Sequence, residues 1–254
     1  MLVVTSFHIR QWETQAKKMV QSFLRHWPDD ITLRIWLEGG SPPISDPQLD
    51  WRRLETVSEW SAYIQRWGGQ RKDNHILNDP EKWSAKVYAL TEDLPEKGWY
   101  LWLDADTKTR QNVTHVDISR WLPKGKNLVF LGREWLHPKD CETALAETGF
   151  VGYRMDEPKV RELLLAQREM WTSGSVMNLP WQADGYAFNV IRNRIRPPGQ
   201  FDLTEGMGPS KIQTQYHPWP YTIIGKHMVH FKGPKRKVDP RTRQPTDTPS
   251  RRVN

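Results

Sequence analysis

Five large apolar residues, Trp99-Tyr-Leu-Trp-Leu103, stand between the breakers Pro95 and Gly98 on one side and Asp104-Ala105-Asp106 on the other. A run this short and this apolar, bounded by breakers, is the pattern of a strand buried on both faces. In open α/β sheets ligands bind beyond the C-terminal ends of the strands, and that is where Asp104 and Asp106 fall. Two carboxylates one residue apart on such a turn can converge on one hard cation, Mg²⁺ or Mn²⁺, with substrate phosphates filling the remaining positions. An isolated Asp-x-Asp is commonly a solvated turn. The buried strand in front of it, and a second motif far along the chain, favour the metal reading.

The remaining chain supplies a sheet for that strand. Leu2-Val-Val-Thr5 opens a strand that ends at Ser6-Phe7-His8, and Gln15–His26 carries Met19, Val20, Phe23 and Leu24 at helical spacing. Trp27-Pro28-Asp29-Asp30 stops the helix, and Ile31–Leu37 alternates as a second strand. Strand, helix and strand within about forty residues form a βαβ unit and imply a parallel pair. A short third strand is expected at Arg53–Val57, with helices at Glu59–Trp67 and from Pro80 to Leu90. Lys86 lies in the second of these, where a surface lysine and a diphosphate contact are both open readings. Asn127–Leu131 and Phe150–Arg154 read as strands, Glu157–Trp171 as an amphipathic helix, and 197–222 as a Pro- and Gly-rich loop lining a site. Leu179-Pro-Trp-Gln-Ala-Asp184-Gly enters a further helix with Asp184 in its first turn, either as an N-cap or as a functional acid.

Composition narrows the class. The chain has 254 residues, 37% hydrophobic and 26% charged, which describes a globular protein with a full-sized core. No apolar stretch approaches the length of a membrane span, and Met1-Leu-Val-Val is too short for a secretory h-region, so a cytoplasmic location is expected. Cys141 is the one cysteine, which excludes an internal disulfide and a Cys-based zinc site. The net charge of +7 is local: residues 232–254 hold eight Lys and Arg against two Asp, so +6 sits there and +1 on residues 1–231. From about residue 239 the sequence looks like a frayed tail, so residues 1–238 are read as one domain and 239–254 as a basic tail, able to meet phosphates or simply solvated. Among the fourteen tryptophans, Trp181 and Trp219 sit in Pro-flanked settings where a ring could stack on a sugar or base. Gly206-Met-Gly208-Pro-Ser-Lys211 lacks the strand-before, helix-after context of a phosphate loop.

The second motif is His227-Met-Val-His230-Phe-Lys-Gly233-Pro-Lys235-Arg236-Lys237. Histidine is a suitable third ligand beside two carboxylates. Glycine lets backbone N–H groups approach a phosphate, and Lys or Arg neutralises it. A βαβ start, a buried strand ending in Asp-x-Asp and this late element together resemble nucleotide-sugar glycosyltransferases of the A-type fold. The late motif is similar to the His-Phe-x-Gly-x-x-Lys of the glycogenin and lipopolysaccharide galactosyltransferase group, with Arg236 at the last position. The ending from His217-Pro-Trp-Pro onward also resembles bacteriophage-encoded glycosyltransferases.

That resemblance implies a single-domain α/β fold with a mixed, mostly parallel sheet flanked by helices and a Rossmann-like nucleotide-binding half. It implies a UDP-sugar as donor and Mn²⁺ or Mg²⁺ as cofactor. Asp104 would lean toward the ribose and sugar, Asp106 would bind the metal, and His230 would complete its ligation. Gly233, Lys235 and Arg236 would hold the diphosphate, and Thr5, Ser6 and Phe7 would meet the base. Arg236 for lysine keeps the charge and changes the contact geometry. Catalysis would stabilise charge on the departing nucleoside diphosphate while an acceptor hydroxyl attacks the anomeric carbon. An inverting enzyme needs a general base, for which Asp184 is the candidate; in a retaining one Asp184 would orient donor or acceptor. Retention is favoured, because the late motif comes from retaining enzymes.

For the acceptor, the phage resemblance and basic tail point to a hydroxymethylated pyrimidine in DNA, with protein and glycan acceptors as the alternatives. Two other classes compete. A non-catalytic nucleic-acid-binding protein would make Asp104 and Asp106 turn residues, and a metal-dependent nuclease or nucleotidyltransferase would want further acids near the same strand end.

Overall fold

A computed structural model of the protein describes residues 1–70, 72–73, 75–137, 141–207 and 217–231. The chain opens with β1 (Leu2–His8), and single 3₁₀ and π turns lead into α1 (Lys17–His26). Next come β2 (Thr32–Glu38), β3 (Leu49–Arg53), α2 (Ser58–Trp67) and α3 (Pro80–Thr91). The central run is β4 (Trp99–Leu103), followed by β5 (Thr107–Thr109), α4 (His115–Trp121), β6 (Leu128–Leu131) and β7 (Glu147–Arg154). α5 (Pro158–Thr172), α6 (Asp184–Ile195), β8 (Gln200–Asp202) and β9 (Met228–His230) complete it.

Seven strands form one sheet in the order β3-β2-β1-β4-β7-β6-β8. β3, β2, β1 and β4 are parallel neighbours, β7 is antiparallel to both β4 and β6, and β8 is parallel to β6. The expected mixed, mostly parallel sheet is thus present. Successive strands β1, β2 and β3 step to one side and β4 lies on the other, so β1 and β4 flank the point where strand order reverses. A crevice opens beyond the C-terminal ends of the strands at such a point.

Both faces of the sheet are covered, which explains the unbroken apolar run in β4. One face packs Val3, Leu33, Ile35, Leu101 and Val129 against Met19, Val20 and Phe23 of α1 and Trp121 of α4. The other packs Val4, Tyr100, Trp102 and Val151 against Trp60, Val87, Leu163 and Phe188 from α2, α3, α5 and α6. Alternate residues of β4 thereby serve opposite cores, as the two-residue repeat of a strand requires.

A separate two-stranded ladder does the long-range work. β5 pairs antiparallel with β9, setting Thr107 opposite His230, and the Phe231 amide donates to the Asp106 carbonyl at 2.9 Å. β5 is fastened to α1 by the Thr109 amide donating to Ser22 Oγ at 3.0 Å and by Trp27 Nε1 donating to Thr109 Oγ1 at 3.1 Å.

Three sequence expectations shift. The third strand lies at Leu49–Arg53, and Leu54–Thr56 of the expected Arg53–Val57 is a 3₁₀ turn. β3 lies at the sheet edge with only Leu49 buried, so its polar residues hide it from a search for apolar runs. The 197–222 stretch contains β8, a three-residue strand added parallel to β6. Trp219 is fully buried rather than presented for stacking, with its ring 4.9 Å from that of His230 and 6.1 Å from that of Phe150.

The two-faced core gives a direct expectation for stability. Leu101→Ala, at a site with no solvent exposure, should cost about 3 kcal/mol in urea denaturation, whereas Leu165→Ala, 53% exposed, should stay within about 0.5 kcal/mol. Equal effects would contradict the placement of β4 at the centre.

Candidate active site

Asp104 follows the last residue of β4, and its amide donates to the Gly149 carbonyl at 3.0 Å, continuing the β4–β7 ladder one step past Leu103. Its carboxylate is held from below. Oδ1 accepts from Trp102 Nε1 at 2.6 Å and from Lys86 Nζ at 3.0 Å. Asp106, two residues on, is reached by His230 Nε2 at 2.8 Å, and the same nitrogen is 3.4 Å from Asp104 Oδ2. Donor atoms of Asp104, Asp106 and His230 therefore lie within 4.8 Å of one another, as one ion requires. The His230 side chain is 1% exposed, while the two aspartates are each about a quarter exposed (26% and 24%). The trio is thus open on the carboxylate side and closed behind the imidazole. Solvated turn acids would have no such framework.

Lys86 sits on the inward face of α3, not on the surface. Its ammonium lies 2.7 Å from Asp184 Oδ2, 3.0 Å from Asp104 Oδ1 and 2.7 Å from the Thr148 carbonyl, and it faces the Trp102 ring at 5.0 Å. Burial alone would push its pKa down; the charges of Asp104 and Asp184 overcome that and hold it above the ordinary lysine value. Asp184 is the first residue of α6, and its carboxylate caps nothing. Its Oδ2 instead accepts from Thr148 Oγ1 at 2.6 Å and pairs with Lys86. The N-cap alternative is excluded, because Ala183 occupies the cap position.

The antiparallel course of β7 explains why Glu147, Thr148 and Gly149 join the site. A strand running against β4 begins where β4 ends. Gly149 must be small: a Cβ there would lie 2.5 Å from Cε1 and 2.9 Å from Nδ1 of His230. Glu147 and His217 are the site residues that sequence reading missed. With His230 they form a second trio of donor atoms within 4.8 Å, all buried. The Glu-Thr-Gly opening of β7 looks like loop ahead of an apolar run, and His217 shows no spacing that ties it to His230.

At the end of β1, Thr5 is fully buried and Phe7 packs in the core between Trp12 and Trp51, each ring 6.2 Å away. Ser6, between them, is half-buried. Gly233, Lys235, Arg236 and the basic tail 239–254 lie outside the described residues. No helix among the described residues is long and apolar enough to cross a membrane.

No protein-family model matches the sequence, and no curated protein does. Among solved structures, the chain is similar to the apo form of mouse xyloside xylosyltransferase 1, at 13% identity and a TM-score of 0.49, over 79% of this chain and 84% of that one.

The ion pairs under the site supply a stability test. Lys86→Met leaves the buried Asp184 carboxylate without its counter-charge and should cost about 3 kcal/mol by urea denaturation. A loss below about 1 kcal/mol would mean that the Lys86–Asp184 pair is not formed in solution.

Proposed function

We propose that the protein is a metal-dependent glycosyltransferase of the A-type fold, moving a sugar from a nucleotide-sugar donor, UDP-linked, to an acceptor hydroxyl. The observation that carries this reading is the convergence of Asp104, Asp106 and His230 at the C-terminal end of β4, beside the point of strand-order reversal. Two carboxylates and one imidazole suit Mn²⁺, or Mg²⁺ with added water, and they leave positions for diphosphate oxygens. Such an ion, when bound, supplies positive charge to the departing nucleoside diphosphate.

The chain's own residues have distinct tasks in this reading. Asp106, His230 and Asp104 would hold the ion, and Asp104 Oδ1 also meets Lys86. Trp102 and Lys86 fix the Asp104 rotamer before any ligand arrives, which is preorganisation of the kind that lowers a barrier. Asp184 Oδ2 is already engaged by Lys86 and Thr148, which fixes the orientation of the carboxylate. That favours an orienting role toward the sugar, and with it the retaining course. Ser6, half-exposed at the end of β1, is the residue of Thr5, Ser6 and Phe7 best open to the base. Gly233, Lys235 and Arg236, three to six residues after His230, add the cations that a diphosphate needs.

Residues 1–238 would constitute the catalytic domain, with 239–254 as a basic extension. A DNA acceptor rests on the phage resemblance and on the basic residues after 231, since residues 1–231 carry a net +1 and 232–254 a net +6.

Thermal-shift titration against UDP, GDP, CDP and ADP, with and without Mn²⁺, tests the donor site. One nucleotide should raise the melting temperature only with Mn²⁺, by the equivalent of about 2.7 kcal/mol at a hundredfold excess over Kd. Asp106→Ala should remove the metal-dependent part and leave the ligand-free melting point nearly unchanged. Stabilisation by DNA, with none from any nucleotide, would reject the transferase. Deleting 239–254 should spare UDP-sugar hydrolysis; a matching loss of turnover on hydroxymethylated DNA, with glycan acceptors unaffected, would identify DNA as the acceptor.

A further inference from the structure

His230 is enclosed on both sides of its ring. Nε2 faces Asp106 and Asp104, and Nδ1 faces Glu147 Oε1 at 3.6 Å. Glu147 is fixed in its turn. The Gly149 amide donates to Oε1 at 3.3 Å, and Arg133 Nη1 lies 3.5 Å from Oε2. Arg133 is tied down by its own donors, Nε to the Leu145 carbonyl at 2.7 Å and Nη2 to the Ala146 carbonyl at 2.6 Å. Glu147 and Arg133 have side chains 2% and 11% exposed.

Glu147, His217 and His230 have donor atoms close enough for a second cation, but Arg133 argues against that use. A guanidinium remains charged at any working pH, and it already matches the Glu147 carboxylate. A divalent ion in the same enclosure would add positive charge beside Arg133 where little water screens it.

We propose instead that Glu147 is a positioning residue for His230, a role that rests on the metal reading above. A histidine that gives its Nε2 lone pair to a cation carries its proton on Nδ1. Behind the ring that N–H is out of solvent, and Glu147 is the carboxylate it faces. A carboxylate there selects the tautomer, aims Nε2 between Asp104 and Asp106, and makes the imidazole a stronger donor to the ion. At 3.6 Å the Nδ1–Glu147 contact is electrostatic rather than a hydrogen bond, and without an ion Nε2 leans on Asp106 instead. Arg133 acts one step further out, holding the Glu147 carboxylate in place.

The test is binding of Mn²⁺ alone, by titration calorimetry, to the parent protein, Asp106→Asn and Glu147→Gln. The parent should bind one ion in this site, Asp106→Asn should lose it, and Glu147→Gln should bind about tenfold more weakly or worse. Parent-like affinity in a folded Glu147→Gln overturns the positioning role alone. Failure of the parent to bind Mn²⁺ overturns the metal reading and this role with it. Glu147→Gln deprives Arg133 of its counter-charge and can unfold, so the second measurement uses the parent protein itself. Loaded with diamagnetic Mg²⁺, its His230 should carry the proton on Nδ1 in long-range ¹H–¹⁵N correlation spectra. A proton on Nε2 there overturns the proposal.

Discussion

The Lys86 ammonium joins three segments that are far apart in sequence: Asp104 beyond β4, Thr148 in β7 and Asp184 at the head of α6. Removing a lysine and two carboxylates from water costs several kcal/mol per ion, which only close geometry and full hydrogen bonding offset. Here the offset is visible in the short contacts from one nitrogen to three oxygens and in the elevated lysine pKa. The arrangement draws two negative groups toward one point without their repelling each other apart. It also stiffens the floor of the site, because none of the three can move without exposing a buried charge.

Above that floor, sheet geometry decides what the carboxylates meet. β4 ends at the reversal point and delivers Asp104 and Asp106 to the crevice. Because β7 runs antiparallel to it, Glu147, Thr148 and Gly149 arrive at the same end. The short β5–β9 ladder then brings in His230, which is 124 positions from Asp106 in the chain but one ladder step from it in space. Asp104, Asp106, Glu147, His230 and Asp184 thus sit at or beside the ends of strands and of one helix. The result is graded in polarity: charged groups balanced in the interior, acids about a quarter exposed at the mouth, imidazole sealed between.

Several parts of this were legible in the sequence, and for identifiable reasons. The β4 run, α3, α5 and the first turn of α6 carry strong local signals, because elements buried on one or both faces write their periodicity into the chain. The convergence of Asp104, Asp106 and His230 could be anticipated because carboxylates and histidine at a strand end are residue types able to share one ion. β3, β5, β8 and β9 were harder. They are edge strands or three-residue strands, whose pairing partner rather than composition makes them strands.

The residues alone determined a mixed α/β chain with an acidic turn at the end of its most buried strand, together with a late histidine suited to the same ion. Both follow from local chemistry, which a linear pattern records. Only the tertiary structure decided that Lys86 turns inward to bind Asp184 rather than standing on the surface, and that Trp219 and Phe7 belong to the core. It alone set Glu147 and Arg133 behind His230. These are facts of through-space proximity, created when β7 takes the antiparallel direction and β9 pairs with β5. Strand direction and long-range pairing leave no periodic trace in the segments they join.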